Sequence, residues 1–282
     1  MPSPSQTVER AKPLLGTRVA VRVNGLSAEA AHKAIDAAFA EIATVHALMS
    51  FHETASDVSR LNRQAHLEPV LVDERTYEVL RRAQTVSAAS DGIFDITVAP
   101  HLVSRTLLPQ PEDASTPDGT ADWRDIALLP GNRVFFGRPL WIDLGGIAKG
   151  YAVDRAAEIL LAFAPSQIFV NAGGDLRVAG CEDERVALDT GHDDRNAVPV
   201  VVISNGSVAS SNGRAHIDTR NGAGCSARRF VSVMAPSCTD ADALTKIVMA
   251  RGADSAPSLS RFGAWAVLYE EDSGWQKIAG SA

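Results

Sequence analysis

Side chains able to do chemistry gather in a few stretches of this chain. The richest is WIDLGGIAKGYAVDRAAEILL at 141–161, where Asp143 precedes the pair Gly145–Gly146 and Lys149 follows as helical periodicity begins. Glycines let a ligand approach the backbone, and the N–H groups of a helix start attract anions. The stretch reads as a phosphate cradle or, more plainly, as a tight strand-to-helix turn with a surface lysine. It is no Walker loop, because Lys149 precedes Gly150 and no Ser or Thr follows, and it lacks the G-x-G-x-x-G of dinucleotide folds. Asp95, between Phe94 and Ile96, is a carboxylate in an apolar run and needs an edge position or a partner. His216, Asp218 and Arg220 crowd the segment NGRAHIDTRNG. Asn171 and Asp175 flank a Gly–Gly turn, where side-chain bonds to the local backbone are their expected role. The polar loop MSFHETASDVSRLNR at 49–63, with His52, suits a ligand rim or plain solvent.

These groups need elements to position them. In LLGTRVAVRV at 14–23, Val19, Val21 and Val23 alternate with polar neighbours, the pattern of a half-buried strand. Ser27 caps a helix over 28–49 with the stripe Ala31, Ile35, Ala38, Phe39, Ile42, Val45 and Met49. Asp73 caps another, with Tyr77, Leu80, Ala83 and Val86 inward and a stop at Asp91–Gly92. Residues 109–122, rich in Pro, Asp, Ser and Gly, read as a flexible insertion. Trp141–Leu144 reads as a strand end, with helix from Ile147 onward. Residues 167–178 read as strand, turn, strand, and Asn205–Gly206 between apolar runs signals a hairpin. A strand over 230–235, a helix over 240–251 and a closing hairpin complete an α+β chain. Residues 1–13 read as a flexible N-terminus and 14–282 as one domain or two intimate lobes.

Composition excludes some roles. A net charge of −7 argues against a nucleic-acid or anionic-membrane partner, so any phosphate must be met by a local site. No apolar run reaches transmembrane length. The N-terminal stretch shows no hydrophobic leader core and no lipid-attachment cysteine, so the sequence as it stands reads as cytoplasmic. Cys181, Cys225 and Cys238 match no zinc spacing and read as reduced thiols.

Taken in order, several blocks resemble the ApbE family of FAD:protein FMN transferases. They are LLGT at 14–17, MSFHETASDVSRLN at 49–62, GIFDITVAP at 92–100, DLGGIAKGYAVDR at 143–155, NAGGDL at 171–176, HIDTRNG at 216–222 and ADAL at 241–244. The resemblance implies an α+β protein of mixed, largely antiparallel sheets with flanking helices. It implies binding of FAD and Mg²⁺, cleavage of the FAD pyrophosphate, and attachment of FMN through a phosphoester to a Thr or Ser hydroxyl of an acceptor protein. Members are commonly exported to the periplasm and often lipid-anchored. On matching positions, Asp143 and Lys149 contact FAD, together with Leu15, His52, Ile93, Phe94, Asp95 and Ile217. His216 and Asp242 are the catalytic positions. Gly146, through its carbonyl, and Asp242 face the metal.

The chain departs from the pattern in places. Leu15 replaces a Met, His52 replaces a Tyr, and HIDTRNG is one residue short and lacks a proline. Lys246 stands where the family places a metal-ligand Thr, and at i, i+4 it shares a helix face with Asp242. Thr245 is about 100° away around the helix. Lys246 is therefore expected to replace part of the ion's charge, weakening both the Mg²⁺ dependence and the transferase activity. Two alternatives to transfer stand beside it: FAD binding with weak or lost activity, and Mg²⁺-dependent hydrolysis of FAD to FMN and AMP.

Overall fold

The structure, a computed structural model, describes residues 7–188, 198–213, 217–218, 223–226 and 229–279. The chain opens with strands β1 (Thr7–Leu14) and β2 (Thr17–Asn24), then helices α1 (Ala28–Met49) and α2 (Asp57–Gln64). Strand β3 (Val70–Leu71), helices α3 (Glu74–Ala89) and α4 (Ala99–Ser104), and strands β4 (Ile126–Leu129) and β5 (Arg133–Phe136) follow. The central helix α5 (Ala148–Leu161) leads into β6 (Gln167–Ala172), β7 (Asp175–Gly180), β8 (Glu184–Ala187), β9 (Val200–Ile203) and β10 (Gly206–Asn212). After β11 (Ile217–Asp218), β12 (Ala223–Gly224) and β13 (Arg229–Ala235) come α6 (Cys238–Arg251), α7 (Ala256–Arg261), β14 (Trp265–Glu270) and β15 (Gly274–Ile278).

One eight-stranded sheet, in the order β1-β2-β6-β7-β10-β13-β14-β15, organises the molecule, and every neighbouring pair in it is antiparallel. Side chains alternate between its faces along each strand. Val231, Val233 and Ala235 of β13 therefore enter the main core with α1, α5 and α6. Phe230 and Met234 enter a second cluster on the other face, with Val201 and Ile203 of β9. The stripe read for α1 is buried at every position, and Ser27 caps it through Ala30 N. Asp73 likewise caps α3, through Arg75 N.

Three expectations are corrected. Thr7–Leu14, which takes in the second half of the stretch 1–13 read as flexible, is paired along its length with β2 through a turn at Leu15–Gly16, where both residues have positive φ. The alternation over 14–23 records only the second arm, because β1 lies at the sheet edge and is mostly exposed. Trp141–Leu144 joins no ladder. Asn62 takes its place as partner, accepting from Ile142 N at 2.8 Å and donating to Ile142 O at 3.0 Å. Asn205–Gly206 makes no hairpin, since β9 pairs with β8 while β10 joins the large sheet. Asn205 instead bonds the backbone of Gly180 at the end of β7.

Candidate functional site

Helices α5 and α6 meet at Gly150, where a Cβ would lie 2.2 Å from the Cys238 carbonyl oxygen and 2.9 Å from Asp242 Cβ. The start of α6 is fastened to α5 by Asp154, whose carboxylate accepts from Cys238 N at 2.9 Å, Thr239 N at 2.8 Å and Thr239 Oγ1 at 2.7 Å. These bonds satisfy donors a helix start would otherwise leave open. Close approach and fastening together bring Asp242, fully buried one turn into α6, against the first turn of α5.

Asp242 sits in a row of alternating charges. Its Oδ1 accepts from Lys246 Nζ at 2.6 Å; its Oδ2 accepts from Gly150 N at 3.2 Å and lies 3.8 Å from Lys149 Nζ. Lys149 donates in turn to Asp175 of β7, which is 1 % exposed. Burial, and then repulsion from Asp242, pushes the Asp175 carboxyl up to about 6. Burial acts the same way on Asp242, but Lys149 and Lys246 outweigh it and hold that carboxyl below its ordinary range. Burial opposes the charge of Lys149, yet Asp242 and Asp175 together keep its ammonium above the usual lysine range. Asp175 is thus no mere turn acid. Asn171 is one, accepting from Gly174 N at 2.9 Å.

A cavity of about 330 Å³ opens beside this row, within the size of small-molecule sites. Asp143, Gly145, Gly146, Lys149, Ser211 and Lys246 form its polar wall. Ile93, Phe94, Val98, Leu102, Leu107 and Leu108 form the apolar wall, and Asp95 lies at the same cavity. Burial raises the Asp143 carboxyl above its ordinary range, against a bond from the Gly145 N–H. Asp95 is raised too, by burial, although its oxygens are occupied: Oδ1 accepts from Thr97 N and Oγ1, both at 2.8 Å, and Oδ2 from Trp123 N at 3.3 Å. It holds the turn after Phe94 and so has a structural role as well as a place in the lining.

The structure therefore gathers Ile93, Phe94, Asp95, Asp143, Gly146, Lys149 and Lys246 around one cavity, with Asp242 beneath. It does not bring Leu15 or His52 into that cavity. Leu15 lies at the β1–β2 turn in a separate groove with Lys12, Thr17 and His46. His52 is exposed beside a neighbouring cleft with Asn62 and Pro111. His216 lies outside the described residues, and of Ile217 only the backbone, paired with Gly224, is described. Sequence reasoning missed Ser211 and the leucines, and gave Asp175 only a role in its own turn. Leu102 had a faint signal in the apolar run that becomes α4; Leu107 and Leu108, which follow that helix, had none, nor had Ser211, because strand pairing alone carries it there.

The residues present do not fit a divalent ion. Mg²⁺ needs oxygen ligands at about 2.0–2.1 Å. Both Asp242 oxygens are already bonded to N–H groups, and one partner is itself an ammonium. Lys246 also covers Gly146, where a Cβ would meet Lys246 Cε at 3.3 Å. Among the described residues no group of three or more His, Cys, Asp or Glu side chains is placed to hold a metal. The arrangement can instead receive a flat ring against the apolar wall and an anion against the lysines.

The ApbE family profile matches residues 15–267. The FAD:protein FMN transferase of Treponema pallidum is 27% identical over 89% of this chain and 81% of its own length. The crystal structure of the ApbE protein from Thermotoga maritima superposes with a TM-score of 0.83 at 25% identity, covering 96% of this chain and 97% of that one. The flavin transferase ApbE from Vibrio cholerae gives 0.84 at 22% identity over 99% and 98%, and carries the fold alone.

Proposed function

The chain belongs to the ApbE family, and from that premise we propose that it binds FAD and transfers the FMN portion to a Thr or Ser hydroxyl of an acceptor protein. One observation carries this reading: a single cavity sets an apolar wall against two lysines. An isoalloxazine or adenine ring suits Phe94, Ile93 and the leucines, and a pyrophosphate suits Lys149 and Lys246. In the proposed reaction the acceptor oxygen bonds to the FMN phosphorus, the anhydride P–O bond breaks, and AMP departs with the electron pair. Catalysis of such a step is mostly positioning and charge neutralisation. Asp143 lines the cavity and its carboxyl is raised, so it is the group assigned to take the hydroxyl proton.

Incubation with FAD and a Thr-containing acceptor peptide, with and without Mg²⁺, tests this. Expected are a peptide gaining the mass of FMN and an equal amount of AMP, both reduced in Asp143→Asn. AMP with unmodified peptide would favour FAD hydrolysis; no FAD binding at all would refute the reading.

A further inference from the structure

We propose that Lys246 is the built-in cation of this site, so that the chain binds its phosphate ligand without a divalent metal ion. The ligand's identity rests on the FAD reading above; the assignment of Lys246 does not. The ammonium is fixed rather than solvated. It donates to Asp242 Oδ1 at 2.6 Å and to Thr245 Oγ1 at 2.9 Å, and its longest contact is Ser211 Oγ at 3.4 Å. Ser211 also lines the cavity, so an anionic oxygen entering there displaces only the weakest of the three.

Three further features hold the lysine in this place. Thr245 is fully buried, and its hydroxyl donates to the Asp242 carbonyl at 2.7 Å, which leaves its oxygen to accept from Lys246 and from Ser211 Oγ at 3.0 Å. The Lys246 stem lies over Gly146 and near Phe94, occupying the space between the glycine turn and Asp242. Asp242 has no exposed surface, so an ion could reach its Oδ1 only by expelling the ammonium. Expulsion would break the ammonium's bonds to Asp242 and Thr245 and admit an ion that gives up its water reluctantly. The side chain keeps 19 % of its surface exposed, on the cavity side where a ligand phosphate arrives.

Two measurements on the whole chain decide the matter. First, Mn²⁺ is titrated into the ligand-free protein and read by electron paramagnetic resonance, for the wild type, Lys246→Thr and Lys246→Met. The wild type is expected to immobilise no Mn²⁺. Lys246→Thr, which frees Asp242 Oδ1 and supplies a hydroxyl, is expected to bind about one ion. Lys246→Met, which keeps the apolar stem, serves if the threonine variant fails to fold. Second, FAD affinity is measured by flavin fluorescence in excess EDTA and in excess Mg²⁺. The wild type should show the same affinity in both, whereas Lys246→Thr should gain about tenfold from Mg²⁺. Wild-type Mn²⁺ binding that Asp242→Asn abolishes, or wild-type FAD binding that Mg²⁺ strengthens tenfold, would overturn the proposal. FAD failing to bind in either buffer would overturn the FAD reading instead, and the Mn²⁺ titration would still decide the role of Lys246.

Discussion

Replacing Lys149 by Met keeps the aliphatic stem in place and deletes one charge from the row Asp175, Lys149, Asp242, Lys246. Asp242 retains Lys246 and the Gly150 N–H. Asp175, 1 % exposed, loses its ammonium partner and stays beside the Asp242 carboxylate. Breaking a buried pair from one side costs about 3–5 kcal/mol; because the Lys149 side chain is 34 % exposed, solvent screening brings the figure to about 3 kcal/mol. For a domain of this size that is a fall in Tm of about 6 °C. The loss depends on pH in a stated direction. The Asp175 carboxyl already stands at about 6 in the folded chain, above its ordinary 3.8, so its folded form takes a proton more readily than its unfolded form. Stability from this group therefore falls as pH rises from 3.8 through 6. Removing Lys149 deletes an interaction that lowers that carboxyl, which widens the window upward. The deficit of Lys149→Met should be full at pH 8 and shrink at pH 5, where Asp175 is protonated and the missing ammonium matters less. Thermal melts followed by circular dichroism at both pH values, without ligand, read this out. A variant melting like the wild type at pH 8, or an equal deficit at both, would refute the pairing argument.

Gly150→Ala should cost about 3 kcal/mol, at the upper end of overpacking, because its Cβ meets a backbone carbonyl at 2.2 Å that no rotamer change relieves. Chemical denaturation measures the loss, and a two-state midpoint within error of wild type would contradict it. Asp154→Ala should cost at least about 2 kcal/mol by uncapping α6, and FAD affinity should fall with it as Asp242 loses its placement. Asp95→Asn should cost about 1 kcal/mol, a fall in Tm of about 2 °C, because one oxygen that accepts hydrogen bonds becomes an amide donor. Retention of the full FAD-induced Tm shift in that variant would assign Asp95 to the turn alone.

Local rules were enough for much of the chain. The stripe of α1, its Ser27 cap, the Asp73 cap of α3 and the β14–β15 hairpin follow from periods and end signals that act within a few residues. The seven ordered blocks likewise contain four of the six residues of the cavity's polar wall, Asp143, Gly145, Gly146 and Lys149, but neither Ser211 nor Lys246. Beyond that reach the sequence is silent, because the deciding partners lie far along the chain. Asp175 reads as a turn acid until β7 sets it against Lys149, 26 residues away. Trp141–Leu144 reads as a strand, but the side chain of Asn62, 80 residues away, satisfies the backbone a ladder would have used. The i, i+4 spacing placed Lys246 beside Asp242. What that spacing could not say is that both oxygens of a fully buried carboxylate are taken, one by Lys246 and the other by the amide of a glycine 92 residues distant. Occupancy of a buried charge is a property of every element packed around it, and only the crossing of α5 on α6 brings those elements together.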